Sequence, residues 1–227
     1  LVVCNGADLE VGWLPMVLTQ AGNSRGRAGQ PGYFEAARQV VMLEVPTQVD
    51  RSMGDVHMQG NPHIHLDPRN IAKVATVLGE RMAQLDPPEA DQYRARSKAF
   101  LERWQQAIAR WEKAAAPLKG MAIVVYHKNM TYLGQWLGIR EVGSLEPKPG
   151  LPATTAHLSE LLARLEKDPA KAVVRAAYNE PRAVQWLSER AKIPAVTLPF
   201  TVGGTDQSKD LFGLFDDTLA RLLAVAK

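Results

Sequence analysis

The chain has 227 residues, 46% of them apolar and 22% charged, an ordinary globular balance with room for one large domain or two modest ones. Its 27 basic and 24 acidic residues leave a formal charge of +3; the basic residues are scattered, which argues against a nucleic-acid surface, and no apolar run is long enough for a bilayer. The single cysteine, Cys4, excludes an internal disulfide and a cysteine-built zinc knuckle but leaves the redox compartment open.

The chain opens on "LVVCNG", the pattern of a buried strand, with no Met before it and no leader pattern. The expectation is therefore that an upstream segment has been removed or is missing. A turn at Gly6 and a helix with Leu9, Trp13 or Leu14, and Val17 on one face should follow. Residues 21–32, "AGNSRGRAGQPG", read as a mobile glycine-rich linker; no strand immediately precedes them, as a phosphate-cradling loop would require.

Asp67 before Pro68 is a helix start, the carboxylate as N-cap and proline at the first helical position. Ile71, Val74, Leu78, Met82 and Leu85 then mark one stripe to be buried. A second start at Asp86–Pro88 leads into Tyr93, Phe100, Trp104, Ile108 and Trp111 at helical spacing. A helix over 87–116 would run on the order of 45 Å, more than one small domain needs, and reads as a spine between two lobes. After Gly120 strands and helices alternate: strands 121–126, 139–145, 171–178 and 193–199, helices 130–137, 154–166, 181–191 and 208–226. This rhythm predicts a parallel sheet covered on both faces. The fold class is α/β: an N-terminal lobe over 1–86, incomplete, a connecting helix over 87–116, and a C-terminal lobe over 117–227.

Ligands of open parallel sheets bind beyond the carboxyl ends of the strands. His127, Glu146, Glu180, Asp206 and Asp210 follow those ends here. Joined by His63 or His65 from "NPHIHLDPRN", they suit a divalent metal between lobes. Blander roles stand beside these. His127 fits a satisfied core histidine, Glu146 and Glu180 fit solvated turns before proline, and Glu180 also fits a helix N-terminal charge. Asp206 reads as a loop residue, Asp210 as a helix-start residue, and His157 as a mid-helix surface residue. His57 has proximity alone in its favour. In an extended segment His63 and His65 would point the same way, both binding or one supporting the other; spacing does not choose.

Five stretches, in order over nearly the whole chain, resemble the metal-binding receptors of ABC importers for zinc and manganese, of the zinc-uptake periplasmic type. "VVCNGADLEVGWL" is similar to the family's strand-turn-helix in the first lobe. "NPHIHLDPRN" resembles its Asp/Asn-Pro-His-x-Trp-Leu-Asp-Pro segment, and "VVYHKNMTYLGQWLGI" its His-bearing strand end. "LEPKPGLPATTAHLSELL" resembles its Glu-x-x-Pro segment, and "GGTDQSKDLFGLFDDTL" its terminal Asp-bearing stretch. The resemblance implies metal ligands at His63, His127, Glu146 and Asp210. His65 stands where the family has tryptophan, with packing as its default role. A further family histidine would lie before residue 1.

The expectation is thus a periplasmic, exported, monomeric receptor with no enzymatic activity. It would capture zinc, with manganese or iron as alternatives, in an interlobe cleft and deliver it to an ABC permease. The stiff helix would permit only small rocking of the lobes. The rivals are a metal-dependent hydrolase using Glu146 or Glu180 as general base, and an adhesive protein with a vestigial site.

Overall fold

The computed structural model describes residues 1–48, 54 and 56–226. The chain divides into two compact units, Leu1–Val49 with Val56–Ile108, and Asp50–Asp55 with Ala109–Lys227.

In the first unit, β1 (Val2–Cys4) and β2 (Tyr33–Glu35) pair in parallel, Val2 opposite Tyr33 and Cys4 opposite Glu35. Parallel strands need a crossover, which here runs through α1 (Leu14–Ala21). The helix expected soon after Gly6 starts late. The Glu10 carboxylate accepts from the Asn5 and Gly6 backbone N–H groups at 2.7 and 3.0 Å. That closes residues 5–10 into a loop in which Ala7 and Asp8 take φ values of 51° and 65°. Of the face expected to be buried, Leu14 is, while Leu9, Trp13 and Val17 are exposed.

Residues 21–32 form an ordered turn and not a slack linker. Asn23 caps a 3-10 turn (Ser24–Gly26) by accepting from the Arg25 N–H at 3.0 Å, and Val2 N–H donates to the Gly32 carbonyl at 2.8 Å. These bonds tie the crossover to the start of β1.

Helix α2 (Pro68–Leu85) begins where expected, with Asp67 accepting from the Arg69 N–H at 2.9 Å and Pro68 in its first turn. Its buried line differs from expectation. Ile71, Val74, Leu78 and Met82 are half-buried and Leu85 is exposed, whereas Ala72, Gly79 and Ala83 are buried. Helix α3 (Ala90–Ala114) passes so near that a Cβ on Gly79 would fall 2.5 Å from Ser97 Oγ. At such a close approach small residues occupy the contact and larger ones flank it. α3 is about 37 Å long at 1.5 Å per residue. It starts later than residue 87 because the two prolines open a separate 3-10 turn, Pro87–Glu89. Trp104 is fully buried and its indole N–H donates to the Pro68 carbonyl at 2.8 Å, bolting α3 to the start of α2.

The second unit is the expected β/α alternation: β3 (Ala122–Val125), α4 (Thr131–Leu137), β4 (Arg140–Ser144), α5 (Thr155–Leu165), β5 (Ala172–Ala176), α6 (Pro181–Ala191), β6 (Ala195–Leu198) and α7 (Leu211–Val225). All its strand pairs are parallel, in the order β4-β3-β5-β6. The short, valine-rich β3 and β5 are buried almost throughout, as strands covered on both faces must be. One cluster packs Leu145, Leu158, Leu161, Leu165 and Leu187. Another stacks Trp111, Trp136 and Phe215, with ring centroids 5.0 to 6.5 Å apart. From β3 the chain goes to one side for β4 and to the other for β5. A topological switch point therefore opens at the carboxyl end of β3, the usual ligand position in such sheets.

Candidate metal centre

In the first unit Asn61 determines how His63 is held. Asn61 is buried, and its backbone N–H donates to the Leu43 carbonyl at 2.8 Å. Its side-chain Oδ1 accepts from the His63 backbone N–H at 3.0 Å and lies 2.7 Å from His63 Nδ1. A backbone N–H can only donate, so the atom facing it is the amide oxygen, and Nδ1 must carry the proton. The lone pair of the neutral ring is then on Nε2.

His63 stands immediately before a 3-10 turn (Ile64–Leu66) without a side-chain capping bond to it, and the Ile64 and Leu66 side chains are buried. Asn5 Nδ2 donates to the Pro62 carbonyl at 2.9 Å, and Asn70 Nδ2 to the Ile64 carbonyl at 3.1 Å. The segment is thus coiled and not extended, because Asn61 closes a side-chain turn onto residue 63. In a 3-10 turn residues two apart diverge, so His63 and His65 do not share a direction as strand neighbours would.

In the second unit His127 comes just after β3, and its Nδ1 lies 2.6 Å from Glu146 Oε2. Glu146 arrives there because the β3–β4 pairing continues past the strands: the Leu145 N–H donates to the Val125 carbonyl at 2.9 Å, and the Glu146 N–H to the Tyr126 carbonyl at 3.1 Å. Oε2 also accepts from the Gly150 N–H at 3.0 Å. A carboxylate accepts, so Nδ1 donates here too and Nε2 again carries the lone pair of the neutral ring. Burial, and then the charges of Glu146 and Glu180, push the neighbouring Tyr126 phenol above its ordinary value, so it stays neutral near physiological pH.

The loop after β3 is linked to the loop after β5. Asn129 is buried and donates through Nδ2 to the Tyr178 hydroxyl at 2.9 Å, and the Tyr178 ring meets Phe200 edge-on at 5.2 Å. Phe200, just after β6, has φ 66°, a strained value for a non-glycine residue. Nothing in the sequence distinguishes Asn129 and Tyr178 from ordinary loop polarity.

The other candidates are placed as follows. Asp210 is the N-cap of α7, its Oδ1 accepting from the Gly213 N–H at 2.7 Å. Glu180 precedes Pro181 at the start of α6, and Asp206 is exposed in the loop before α7. His157 is not a mid-helix surface residue: it lies in the first turn of α5, half-buried, with Nε2 2.8 Å from the Ser144 carbonyl, tying α5 to β4. The His57 carbonyl accepts from the Gly60 N–H at 3.1 Å. Among the described residues no three or more histidine, cysteine, aspartate or glutamate side chains are grouped so as to hold a metal ion. His127 and Glu146 are brought together; Asp210 does not join them in such a group.

The sequence model of the zinc-uptake complex component A periplasmic family, ZnuA, matches residues 1–225. The chain belongs to this family. The high-affinity zinc uptake system protein ZnuA of Brucella abortus (strain 2308) is 23% identical over 130 residues, 57% of this chain and 39% of the relative. The same protein of Brucella suis biovar 1 (strain 1330) matches to the same extent. The match thus spans well under half the length of these curated relatives. Among solved structures, a crystal structure of ZnuA superposes with a TM-score of 0.70 at 20% identity, covering 99% of this chain and 76% of the other. The Cd-bound periplasmic metal binding protein of Candidatus Liberibacter asiaticus gives 0.75 at 12% identity, covering 99% and 80%. At these identities the likeness is one of fold, and it agrees with the α/β architecture above.

Proposed function

We propose that this chain is the substrate-capturing receptor of an ABC importer. It binds a divalent transition metal in the periplasm, zinc before manganese or iron, and delivers it to a membrane permease. It acts as a monomeric binder, not as an enzyme. One observation carries the reading: at both His63 and His127 an oxygen acceptor engages Nδ1, which leaves Nε2 as the basic nitrogen of the neutral ring. That is the arrangement in which proteins offer imidazole to a metal, the second hydrogen bond fixing tautomer and ring angle.

Imidazole favours zinc, while added carboxylates suit manganese or iron. The Brucella relatives are zinc uptake proteins by name, which favours zinc, while the Liberibacter protein has been solved both with cadmium and, as a serine-to-alanine mutant, with manganese bound. His63 and His127 are the proposed imidazole ligands. Glu146 is the proposed carboxylate of the set, already holding His127 through Oε2, and Asp210 is the fourth candidate.

The test is calorimetric titration of metal-stripped protein with zinc and with manganese. The expected result is one ion per chain with zinc the tighter. His63→Ala and His127→Ala should each weaken zinc at least about a hundredfold, about 2.8 kcal/mol. Glu146→Gln should cost roughly 10–100-fold, and Asp210→Asn grades the fourth position. Wild-type protein that takes up no zinc, or histidine variants that bind it unchanged, would overturn the reading. Metal-dependent turnover of ester or phosphoester substrates would replace it with a hydrolase.

A further inference from the structure

We infer that Glu44 is a positioning residue for His63, acting through Asn61. This rests on the receptor reading, since the positioned atom is the metal-facing Nε2. The relay is continuous: Asn61 Nδ2 donates to Glu44 Oε2 at 2.8 Å, and Asn61 Oδ1 lies 2.7 Å from His63 Nδ1. Two features fix its direction.

The His63 backbone N–H holds the amide oxygen on the histidine side at 3.0 Å, so the NH₂ group faces the carboxylate. The Glu44 carboxylate is the acceptor of that bond. The Glu44 charge polarises the amide, strengthens Oδ1 as an acceptor and favours the His63 tautomer protonated at Nδ1. His127 has its carboxylate in direct contact at 2.6 Å; His63 has one at one remove.

The backbone is shaped for this contact. Glu44 adopts φ 52°, a left-handed value rare for a residue with a long side chain. It is held there because the Asn61 N–H donates to the adjacent Leu43 carbonyl at 2.8 Å. Gly60 has φ 104°, and a Cβ on it would lie 2.7 Å from the same Leu43 oxygen. Residues 43–44 and 60–61 can approach this closely only with glycine at 60, and that approach brings the carboxylate to the amide.

The experiment uses the metal-free and zinc-titrated full chain. Nitrogen-15 NMR of the histidine rings reads the His63 tautomer directly, with His63→Gln assigning the signal. Expected for the wild type is a His63 ring protonated at Nδ1. Glu44→Ala should shift it toward a mixture of tautomers and weaken zinc about tenfold, within the range seen for outer partners of metal ligands. Glu44→Gln, which keeps an acceptor and loses the charge, should fall between. His127 signals should not change, and matching urea midpoints would exclude a folding defect. A wild-type His63 ring protonated at Nε2, or a tautomer and zinc affinity indifferent to Glu44→Ala, would overturn the relay. If the tautomer responds but wild-type protein takes no zinc, the relay stands and the receptor reading falls.

Discussion

The second unit holds His127 at the end of a buried strand, and its partner Glu146 stands one strand over, where the β3–β4 pairing puts it. The first unit holds His63 on a short turn fixed by side-chain-to-backbone bonds from Asn5, Asn61 and Asn70. The second unit is built on a four-stranded sheet, the first on a pair of three-residue strands. A ladder positions side chains through many equivalent backbone bonds, so no single one is critical. A turn held by a few polar side chains concentrates that role in each of them.

That contrast can be tested by substitution. Trp111→Ala in the second unit should cost most, about 3–5 kcal/mol by urea denaturation. The side chain is buried against Trp136 and Phe215, and its indole N–H donates to Asp216 Oδ1 at 2.6 Å. A loss below about 1 kcal/mol would mean that the aromatic cluster is not the core it resembles. Asp67→Ala in the first unit should cost about 1–2 kcal/mol, since it removes both the α2 cap and the two-oxygen pairing with Arg69. If His63 is a zinc ligand as proposed, it should also weaken zinc, because α2 anchors the His63 turn through Asn70; unchanged zinc affinity would separate the helix start from the proposed site.

Gly79→Ala should cost about 1 kcal/mol net. Crowding against Ser97 outweighs the helix-propensity gain of alanine, and Ser97→Ala should relieve it. The smallest effect is on alkaline stability. The Tyr33 hydroxyl is pushed above its ordinary value of 10.0, first by burial, then by its bond to Cys4 and the nearby Glu35 and Glu10 charges. As pH rises the unfolded chain gives up this proton before the folded one does. The stabilisation is therefore full below about pH 10 and lost above it. The urea midpoint should fall between about pH 10 and 11, and Tyr33→Phe should flatten that fall.

Legibility followed the same division. The strands and helices of the second unit lie within a few residues of expectation, because runs such as "AIVV" and "AVVRA" flanked by turn residues admit little else. The Asp67–Pro68 helix start was equally plain. The late start of α1 was not, since it depends on Glu10 folding back onto the Asn5 and Gly6 backbone. Nor was the small-residue contact of α2, which depends on how near α3 passes. Of the proposed site, His63 and His127 stand out as candidates by residue type and position, and Asn61 could have been read from its place two residues before His63. Glu44 carries no local sign of its role, being 17 positions from Asn61 in the chain.

The sequence by itself determined the α/β class, the order of strands and helices in the second unit, and the two histidines as candidates, because periodicity and residue chemistry are local. Tertiary structure alone decided which nitrogen of each imidazole meets an oxygen acceptor, Nδ1 in both. That choice rests on acceptors delivered by other parts of the chain, Asn61 backed by Glu44 for one ring and Glu146 for the other, and a tautomer follows from the partner a ring meets and not from its neighbours in sequence.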